Sequence, residues 1–373
     1  MQISSRCQYR CFCISPSSIR WARYWGSHFW VSYQAQHSNE QNRWLAIRIQ
    51  ARSEPREHLS SSPLLVCRQT FPYRITEWLP VNRGVRILLL MQPDQEVISA
   101  WRDSAPFWEK HCEIIRQMFA PVTQALVEEA LICTGQTVLD IATGPGEPAL
   151  TVAARVGPEG KVFGIDPAQE MVDAARRQTD RLGFRNAQFE VASADSLPFP
   201  ANTFDAVISR FGVMFFPSPV DGVSEMLRVL KPGRKLALAV WHFADRNPFH
   251  YVLSRVMERY VDSPAPAPDA PDAFRFATPG KLREVLAEAG AMAPSERLLQ
   301  FKIETSLSVE DFWALRSEMS EKLREKLAKL SREQASEVKR QMLEALRGYS
   351  TEGEMSFPAE VLIVSGTRNR PHS

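Results

Sequence analysis

The chain has 373 residues, enough for one large domain with additions or for two ordinary domains. Its net charge of +2 excludes an overall electric field strong enough to select one class of partner. No stretch reaches the roughly 18 apolar residues that cross a bilayer, and no secretory signal with an apolar centre stands near the start, so we expect a cytoplasmic location.

Residues 1–90 differ in composition from the remainder. Their twelve Arg and four Glu, with no Lys or Asp, give +8, whereas the rest of the chain carries −6. Neither strand alternation nor a helical stripe is sustained there, so no fold is predicted. This section is interpreted as a disordered extension or as a mis-assigned start, with translation beginning at Met91; a transit peptide is the third alternative. Its cysteines lack a second pair to complete a metal site, and no metal is expected.

Periodic segments begin after Met91. Residues 95–132 predict helices that are broken around Pro106 and Pro121. Short apolar strands then alternate with amphipathic helices; the strands are TVLDIA, KVFGID, AQFEVASAD, FDAVISRF and RKLALAVW, and the helices are EPALTVAARVG, AQEMVDAARRQTDRLG and PVDGVSEMLRVLKPG. This alternation predicts βαβ units, and therefore an α/β fold with a doubly wound, mostly parallel sheet covered on both faces.

The alternation loosens after Trp241. A Pro-rich connector and the capped helix TPGKLREVLAEAG precede a sixth strand, ERLLQFKIET, and AEVLIVSGTR forms the last strand. Between these strands, residues 308–349 form a charged helical stretch, which is either a solvated amphipathic pair or a cap over a substrate. We therefore divide residues 91–373 into a core at 135–242 and a cap with the last strands at 243–367.

The stretch VLDIATGPGEPAL carries a glycine-rich turn after the first of these strands. Gly144, Gly146 and Ala149 fit the dinucleotide pattern G-x-G-x-x-G/A, and Asp166 lies 20 residues after Gly146, where a ribose-binding carboxylate belongs. A dinucleotide-dependent oxidoreductase is therefore one candidate function.

Three features of the turn argue against a diphosphate ligand. Asp140 sets a negative charge at the strand end, and Pro145 and Pro148 remove two N–H donors that phosphate oxygens need. Asp195, at the predicted end of the third strand, suits an exocyclic amine. A ligand with adenine, a ribose diol, no phosphate and a positive charge fits better, and S-adenosylmethionine (SAM) is such a ligand.

Four motifs in order then carry a family resemblance. VLDIATGPG, VFGIDPAQEMVDAAR, ASADSLPFPANTFDAVISRFGVMFFPSP and EMLRVLKPGRKLALAVW resemble those of class I SAM-dependent methyltransferases, especially the branch similar to ubiquinone/menaquinone C-methyltransferases. The resemblance covers about residues 91–367. It implies a Rossmann-like sheet of seven strands with helical lid and cap additions, SAM as the cofactor, and transfer of a methyl group by in-line displacement.

The resemblance also implies roles for individual residues around the cofactor. The methionine part would be held by Asp140 and the backbone of Ala142, Gly144 and Gly146; the ribose by Asp166; adenine by Met171, Ala194 and Asp195; and the floor near the methyl group would be formed by Ser209, Arg210 and Phe211. The family usually has glycine at the position of Ala142, so we expect a slightly altered geometry there.

The acceptor is expected to be a small apolar or aromatic molecule, because Phe211, Phe215, Phe216 and Trp241 would line the mouth of the site. Nucleic acid is disfavoured, since the section after residue 90 is net acidic. A non-catalytic SAM-binding protein is the alternative from outside the enzymes. The sequence predicts no oligomeric state.

The sequence offers few side chains that could form a lid or transfer a proton. Trp101 and Trp108 would close a lid over the cofactor, or else pack in a helix core. The candidate general bases are His111, His242 and His250, each of which also suits a packing or surface position.

Overall fold

The computed structural model describes the backbone of residues 31–32, 50–51, 74–81, 85–91, 93–262, 267 and 269–370, and within those ranges the side chains from residue 97 onward. The chain divides into two units, Met1–Thr70 and Phe71–Ser373. In the first unit, the strands Val31–Ser32 and Gln50–Ala51 pair antiparallel. Most of the proposed extension at 1–90, with Cys7, Cys11 and Cys13, lies outside the described residues, and its interpretation stays a prediction.

The second unit opens with two antiparallel strands and three helices. Strands Arg74–Val81 and Val85–Met91 pair with each other. The helices are α1 (Pro93–Lys110), α2 (Cys112–Met118) and α3 (Ala120–Glu129). Pro121 lies in the first turn of α3, as expected, but the predicted break at Pro106 is wrong, because Pro106 lies inside α1. The packing of α1 on a later helix, with Ala105 buried beside Pro106, outweighs the missing hydrogen bond.

Seven strands form the central sheet in the order β6-β7-β5-β4-β1-β2-β3. They are β1 (Thr137–Ile141), β2 (Lys161–Asp166), β3 (Ala187–Val191), β4 (Phe204–Arg210), β5 (Leu230–Trp241), β6 (Met292–Thr305) and β7 (Glu354–Thr367). The first five run parallel, and β7 is antiparallel to both β5 and β6. The short strand Ser350–Thr351 adds to β7. The predicted doubly wound, mostly parallel sheet is confirmed.

Helices α4 (Ala149–Val156), α5 (Gln169–Leu182) and α6 (Pro219–Val229) connect the parallel strands. Crossovers between parallel strands are right-handed, so the connections on either side of β1 cover opposite faces of the sheet. From β1 the sheet continues through β2 and β3 on one side and through β4 and β5 on the other, so the strand order reverses between β1 and β4. Open α/β sheets bind ligands in the crevice at the carboxyl ends of the strands at such a reversal.

Two predicted element boundaries differ from the structure. The third strand ends at Val191 and not at Asp195, because its only neighbour, β2, ends at Asp166, which pairs with Val191. The Pro-Gly pair predicted to stop α6 lies inside β5, because α6 ends at Val229 and the strand begins at Leu230. Gly233 takes a φ of 74° there, a conformation that glycine adopts without steric cost.

The described residues of the predicted cap form five α-helices: α7 (Pro248–Met257), α8 (Lys281–Glu288), α9 (Val309–Met319), α10 (Glu321–Ala328) and α11 (Arg332–Arg347). The charged stretch thus forms three helices and not a pair. Helix α9 buries Phe312 and Leu315 and packs on α1, β7 and α11, and α11 packs on α7. None of the described helices is long and apolar enough to span a membrane.

Candidate functional site

The turn between β1 and α4 leaves the sheet where the strand order reverses. Ala142, Gly144 and Gly146 take positive φ values of 57°, 56° and 108°. Glycine adopts this region freely, whereas Ala142 places a methyl group there at a cost of about 1–2 kcal/mol. A Cβ on Gly144 would meet no atom within 4 Å, so the space beside this glycine is open.

Asp140 is fully buried beneath this turn. Its Oδ2 accepts a hydrogen bond from the Thr143 hydroxyl at 2.6 Å and one from the Ala149 N–H at 3.2 Å. Its Oδ1 is buried without a partner, and burial raises the pKa of the carboxyl to about 7. One oxygen therefore fixes the turn, and the other is left for a ligand or a proton.

Asp166 ends β2 and faces the same turn. Its Oδ2 accepts the Gly144 N–H at 3.0 Å, and its Oδ1 accepts the Ala168 N–H at 3.0 Å. Burial raises the pKa of Asp166 to about 6. The carboxyl that was expected at the ribose thus lies beside the glycine turn, and the resemblance's ribose contact remains a prediction.

Glu147 and Arg210 form a second, partly buried charged group beside the turn, and the sequence reasoning missed Glu147. Burial raises the pKa of Glu147, whose carboxylate accepts the Thr151 hydroxyl at 2.8 Å. Arg210, the last residue of β4, donates to Thr123 Oγ1 at 2.9 Å and to the Glu147 carbonyl at 3.4 Å. Burial lowers the pKa of Arg210, while the carboxyls of Glu147 and Asp140 raise it. A glutamate directly before Pro148 was the available signal.

Met171 lies under helix α1. It is 2% exposed and clusters with Ala105 and Ala168, and Trp101 and Trp108 pack against this cluster. The two tryptophan rings meet edge to face at 5.7 Å. Helix α1 therefore covers the side chain that was predicted to contact adenine.

The predicted adenine edge lies in the loop after β3. Ala194 is 8% exposed, whereas Asp195 lies on the surface. Both residues lie in a turn that is closed by a hydrogen bond from the Ser196 N–H to the Ser193 carbonyl. Asp195 is thus accessible from solvent, and its contact with adenine remains a prediction.

The end of β4 brings three predicted residues together. Ser209 is fully buried and donates its hydroxyl to the Ile141 carbonyl at 2.8 Å, which ties β4 to β1. Phe211 takes a φ of 62° and stacks on Trp241 with ring centroids 4.5 Å apart and planes 1° apart. This side chain therefore stands at the strand ends, against the fifth strand.

The four aromatic residues predicted at the mouth do not form one lining. Phe211 and Trp241 stack on each other, whereas Phe215 meets the Trp101 ring at 5.2 Å. Phe216 packs toward α6, where a Cβ on Gly222 would lie 2.8 Å from its ring. Two of these rings thus lie at the sheet, one against α1 and one toward α6.

Two further rings, which the sequence reasoning missed, join Phe211 and Trp241. Phe119 lies 5.5 Å from Phe211 and 5.8 Å from both Trp241 and Phe249. We call these four residues, Phe119, Phe211, Trp241 and Phe249, the ring cluster. Phe119 lies between α2 and α3, Phe211 directly follows β4, and the other two belong to β5 and α7, so no local sequence pattern links the four.

The three candidate histidines occupy different surroundings. His111 Nε2 lies 2.7 Å from Glu318 of α9, and His242 Nδ1 lies 2.8 Å from Glu360 of β7. Both contacts tie elements together. His250 meets the Trp241 ring edge to face at 4.5 Å, and its Nε2 is buried without a partner. Burial and the nearby Arg316 hold the pKa of His250 well below its usual range.

The residues around the turn fit SAM better than a dinucleotide. Three carboxyls, those of Asp140, Glu147 and Asp166, lie at the turn, and the Arg210 guanidinium interacts with the first two. The unpaired Asp140 Oδ1 is an acceptor, whereas a diphosphate requires donors.

Comparison with known proteins finds similarity to methyltransferases. Residues 138–233 match the model of a methyltransferase domain. The chain is 35% identical over 121 residues to an aklanonic acid methyltransferase of Streptomyces sp. (strain C5), covering 32% of this chain and 55% of that protein. It is 37% identical over 103 residues to a demethylmenaquinone methyltransferase of Listeria welshimeri, covering 28% and 44%. It is 38% identical over 108 residues to the ubiquinone/menaquinone biosynthesis C-methyltransferase UbiE of Coxiella burnetii, covering 29% and 43%.

The chain spans about half the length of the curated relatives that it matches. The part that matches the family model begins in β1 and ends in β5, and it contains the glycine turn, Asp166 and Arg210. Residues 138–233 thus match a methyltransferase domain, and this part of the chain is similar to that of SAM-dependent methyltransferases such as the ubiquinone/menaquinone C-methyltransferases.

Proposed function

We propose that the chain transfers a methyl group from SAM to a small apolar or aromatic acceptor by in-line displacement. The observation that carries this proposal is the excess of carboxyls at the glycine turn. Asp140 and Asp166 are buried and Glu147 is partly buried. The nearby guanidiniums are those of Arg210, which acts on Asp140 and Glu147, and Arg116, which acts on Glu147. Burial strengthens charge interactions, so this group favours a cationic sulfonium and ammonium and disfavours a diphosphate.

Bound SAM supplies an activated methyl group with its leaving group already in place. The chain's own residues then bind, orient and exclude water. Asp166 and Asp140 hold the turn, Phe211 supplies a flat surface beside it, and α1 covers the site with Trp101. Correct positioning of reacting groups contributes about 7–11 kcal/mol in favourable cases.

The acceptor is proposed to be apolar or aromatic because the ring cluster adjoins the end of β4. Relatives named for demethylmenaquinone and aklanonic acid support a small-molecule acceptor. A general base is needed only for an acceptor that must lose a proton. His250 is the preferred candidate among the three histidines, because its ring is uncharged and its Nε2 has no partner.

Calorimetric titration with SAM, S-adenosylhomocysteine and NAD tests the cofactor. We expect the first two to bind and NAD not to bind. Asp166→Ala should weaken SAM binding, whereas Asp173→Ala, which removes an exposed carboxylate of α5, should leave it unchanged. Tight NAD binding without SAM binding would overturn the proposal in favour of an oxidoreductase.

Turnover is tested separately with a methyl-release assay over reduced naphthoquinones, phenols, aryl carboxylic acids and polar amines. We expect transfer to at least one apolar or aromatic class and none to the amines. SAM binding with no transfer to any class would support the non-catalytic alternative.

A further inference from the structure

Two guanidinium groups lie over different rings of the ring cluster. The Arg210 guanidinium is 5.9 Å from the centroid of Phe119, and the Arg316 guanidinium is 4.0 Å from the centroid of Phe249. Arg210 comes from the end of β4 beside the glycine turn, whereas Arg316 comes from α9 of the cap. The cluster thus has one cation toward the cofactor turn and another toward the cap.

Only the first of these cations has acidic neighbours. Glu147 and Asp140 offset the burial of Arg210. Within the part of the chain that the structure describes, no carboxylate forms an ion pair with Arg316, and its buried Nε has no hydrogen-bond partner. Burial alone lowers the pKa of Arg316 to about 10. The Arg316 side chain is partly buried. A guanidinium that is largely withdrawn from water and has no anion beside it is costly, so it is expected to serve a ligand.

A second unpaired polar atom lies close to Arg316. The Nε2 of His250 is buried without a partner, and the positive charge of Arg316 disfavours protonation of this imidazole. The His250 ring lies 5.2 Å from Phe249, the ring beneath Arg316, and 5.3 Å from Phe274. A cation and a neutral imidazole in an aromatic wall suit an anionic oxygen group attached to an apolar body.

From this arrangement we propose that Arg316 binds a carboxylate of the acceptor, whose aromatic body lies against the ring cluster. The inference rests on the proposed function and specifies its substrate class as aryl carboxylic acids. A guanidinium presents two parallel N–H groups that match the two oxygens of a carboxylate, which explains why arginine stands there.

Ring contacts lead from the end of β4 to Arg316 of the cap. Phe211 stacks on Trp241, and the ring centroids of Trp241 and Phe249 lie 6.3 Å apart with planes 16° apart. The Arg316 guanidinium lies over the Phe249 ring. Arg316 therefore lies across the rings from the end of β4. A carboxylate held there would leave the rest of an aromatic acceptor directed along the ring cluster toward the cofactor turn.

The test is calorimetric titration of the full chain, saturated with S-adenosylhomocysteine, with 2-naphthoate and with its uncharged analogue 2-naphthamide. We expect the wild type to bind 2-naphthoate at least about tenfold more tightly, as for a charged hydrogen bond. Arg316→Met should abolish this preference and leave 2-naphthamide binding unchanged, and Arg316→Lys should retain part of it. Arg340→Met, which removes an exposed guanidinium of α11, should keep the full preference.

Thermal unfolding of the same variants separates binding from folding. Arg316→Met should hold or raise the melting temperature, because it removes a partly buried charge that has no acidic partner among the described side chains. Equal binding of both naphthalenes by the wild type, a preference that survives Arg316→Met, or a lowered melting temperature with loss of both ligands would each overturn the inference. Absence of S-adenosylhomocysteine binding would instead count against the proposed function itself.

Discussion

The methyl group of Ala142 occupies the space that a side chain on Gly212 would need. A Cβ on Gly212 would lie 2.5 Å from Ala142 Cβ and 2.6 Å from Ser209 Oγ. Gly212 has an ordinary φ of −91°, so glycine is required there for room and not for backbone conformation. The Ala142 methyl group therefore fits in the turn because residue 212, which follows β4, is a glycine.

The first prediction concerns this pair. Gly212→Ala should lower the free energy of unfolding by about 1–3 kcal/mol, because it overpacks a closed space. Ala142→Gly should change it by less than about 1 kcal/mol, since relief of the positive φ and added unfolded-state entropy oppose each other. The double variant should be more stable than Gly212→Ala alone by at least about 0.5 kcal/mol in denaturant titrations. Strict additivity of the two changes would show that the two sites do not interact.

The second prediction concerns stability and pH. The pKa of Asp140 is about 7 in the folded protein against 3.8 ordinarily, so between these values the folded form keeps a proton that the unfolded chain releases. Stability therefore falls as pH rises through this window. Asp140→Asn should be more stable than the wild type, by a margin that grows by about 2 kcal/mol from pH 5 to pH 8. The surface change Asp173→Asn should show no such growth; a margin independent of pH would contradict the burial of an ionisable Asp140.

The third prediction concerns SAM binding and pH. A cation at the turn favours the ionised forms of Asp140 and Asp166, whose pKa values are about 7 and about 6. SAM binding should therefore release protons and tighten as pH rises from 5.5 to 7, then level off. Calorimetry in buffers of different ionisation enthalpy measures the released protons. S-adenosylhomocysteine, whose sulfur is uncharged, should show a smaller effect, and equal pH dependence for both ligands would argue against the electrostatic account.

The fourth prediction concerns the lid. Trp101 contacts Trp108 and Phe215, and its helix covers Met171. Trp101→Ala should speed SAM association and dissociation, each by up to about tenfold, because the lost ring contacts hold α1 in place. Stopped-flow fluorescence measures both rates. Arg102→Ala, on the exposed side of the same helix, serves as the control, and unchanged rates in Trp101→Ala would mean that α1 does not gate the site.

The sequence predicts those parts of the site that are local. Asp140, the glycine turn and Asp166 follow two short apolar strands directly, and parallel strands must bring their carboxyl ends to one edge of the sheet. The predicted break of the helix at Pro106 is wrong. Helix propensity accounts for the hydrogen bond that proline loses, but not for the burial of Ala105 beside it.

The ring cluster and Arg316 could not be predicted in this way. Phe119 lies at the start of α3, Phe249 in α7 and Arg316 in α9, which are far apart in the chain. Each sits in a pattern that amphipathic packing explains completely. Arg316 in particular belongs to a stretch with balanced charges, where every arginine is expected to have a partner. Only the tertiary structure shows that this one lacks an acidic partner among the described side chains.

The last strand enters the sheet between two earlier ones. Residues Val361 to Thr367 of β7 pair with β5, while the same strand pairs along its other edge with β6. During synthesis, β5 therefore presents an open apolar edge until more than a hundred further residues have left the ribosome, and β6 has no neighbour at all. Completion of the sheet waits for the final strand, so the nascent chain passes through a long interval in which that edge must be shielded from other chains.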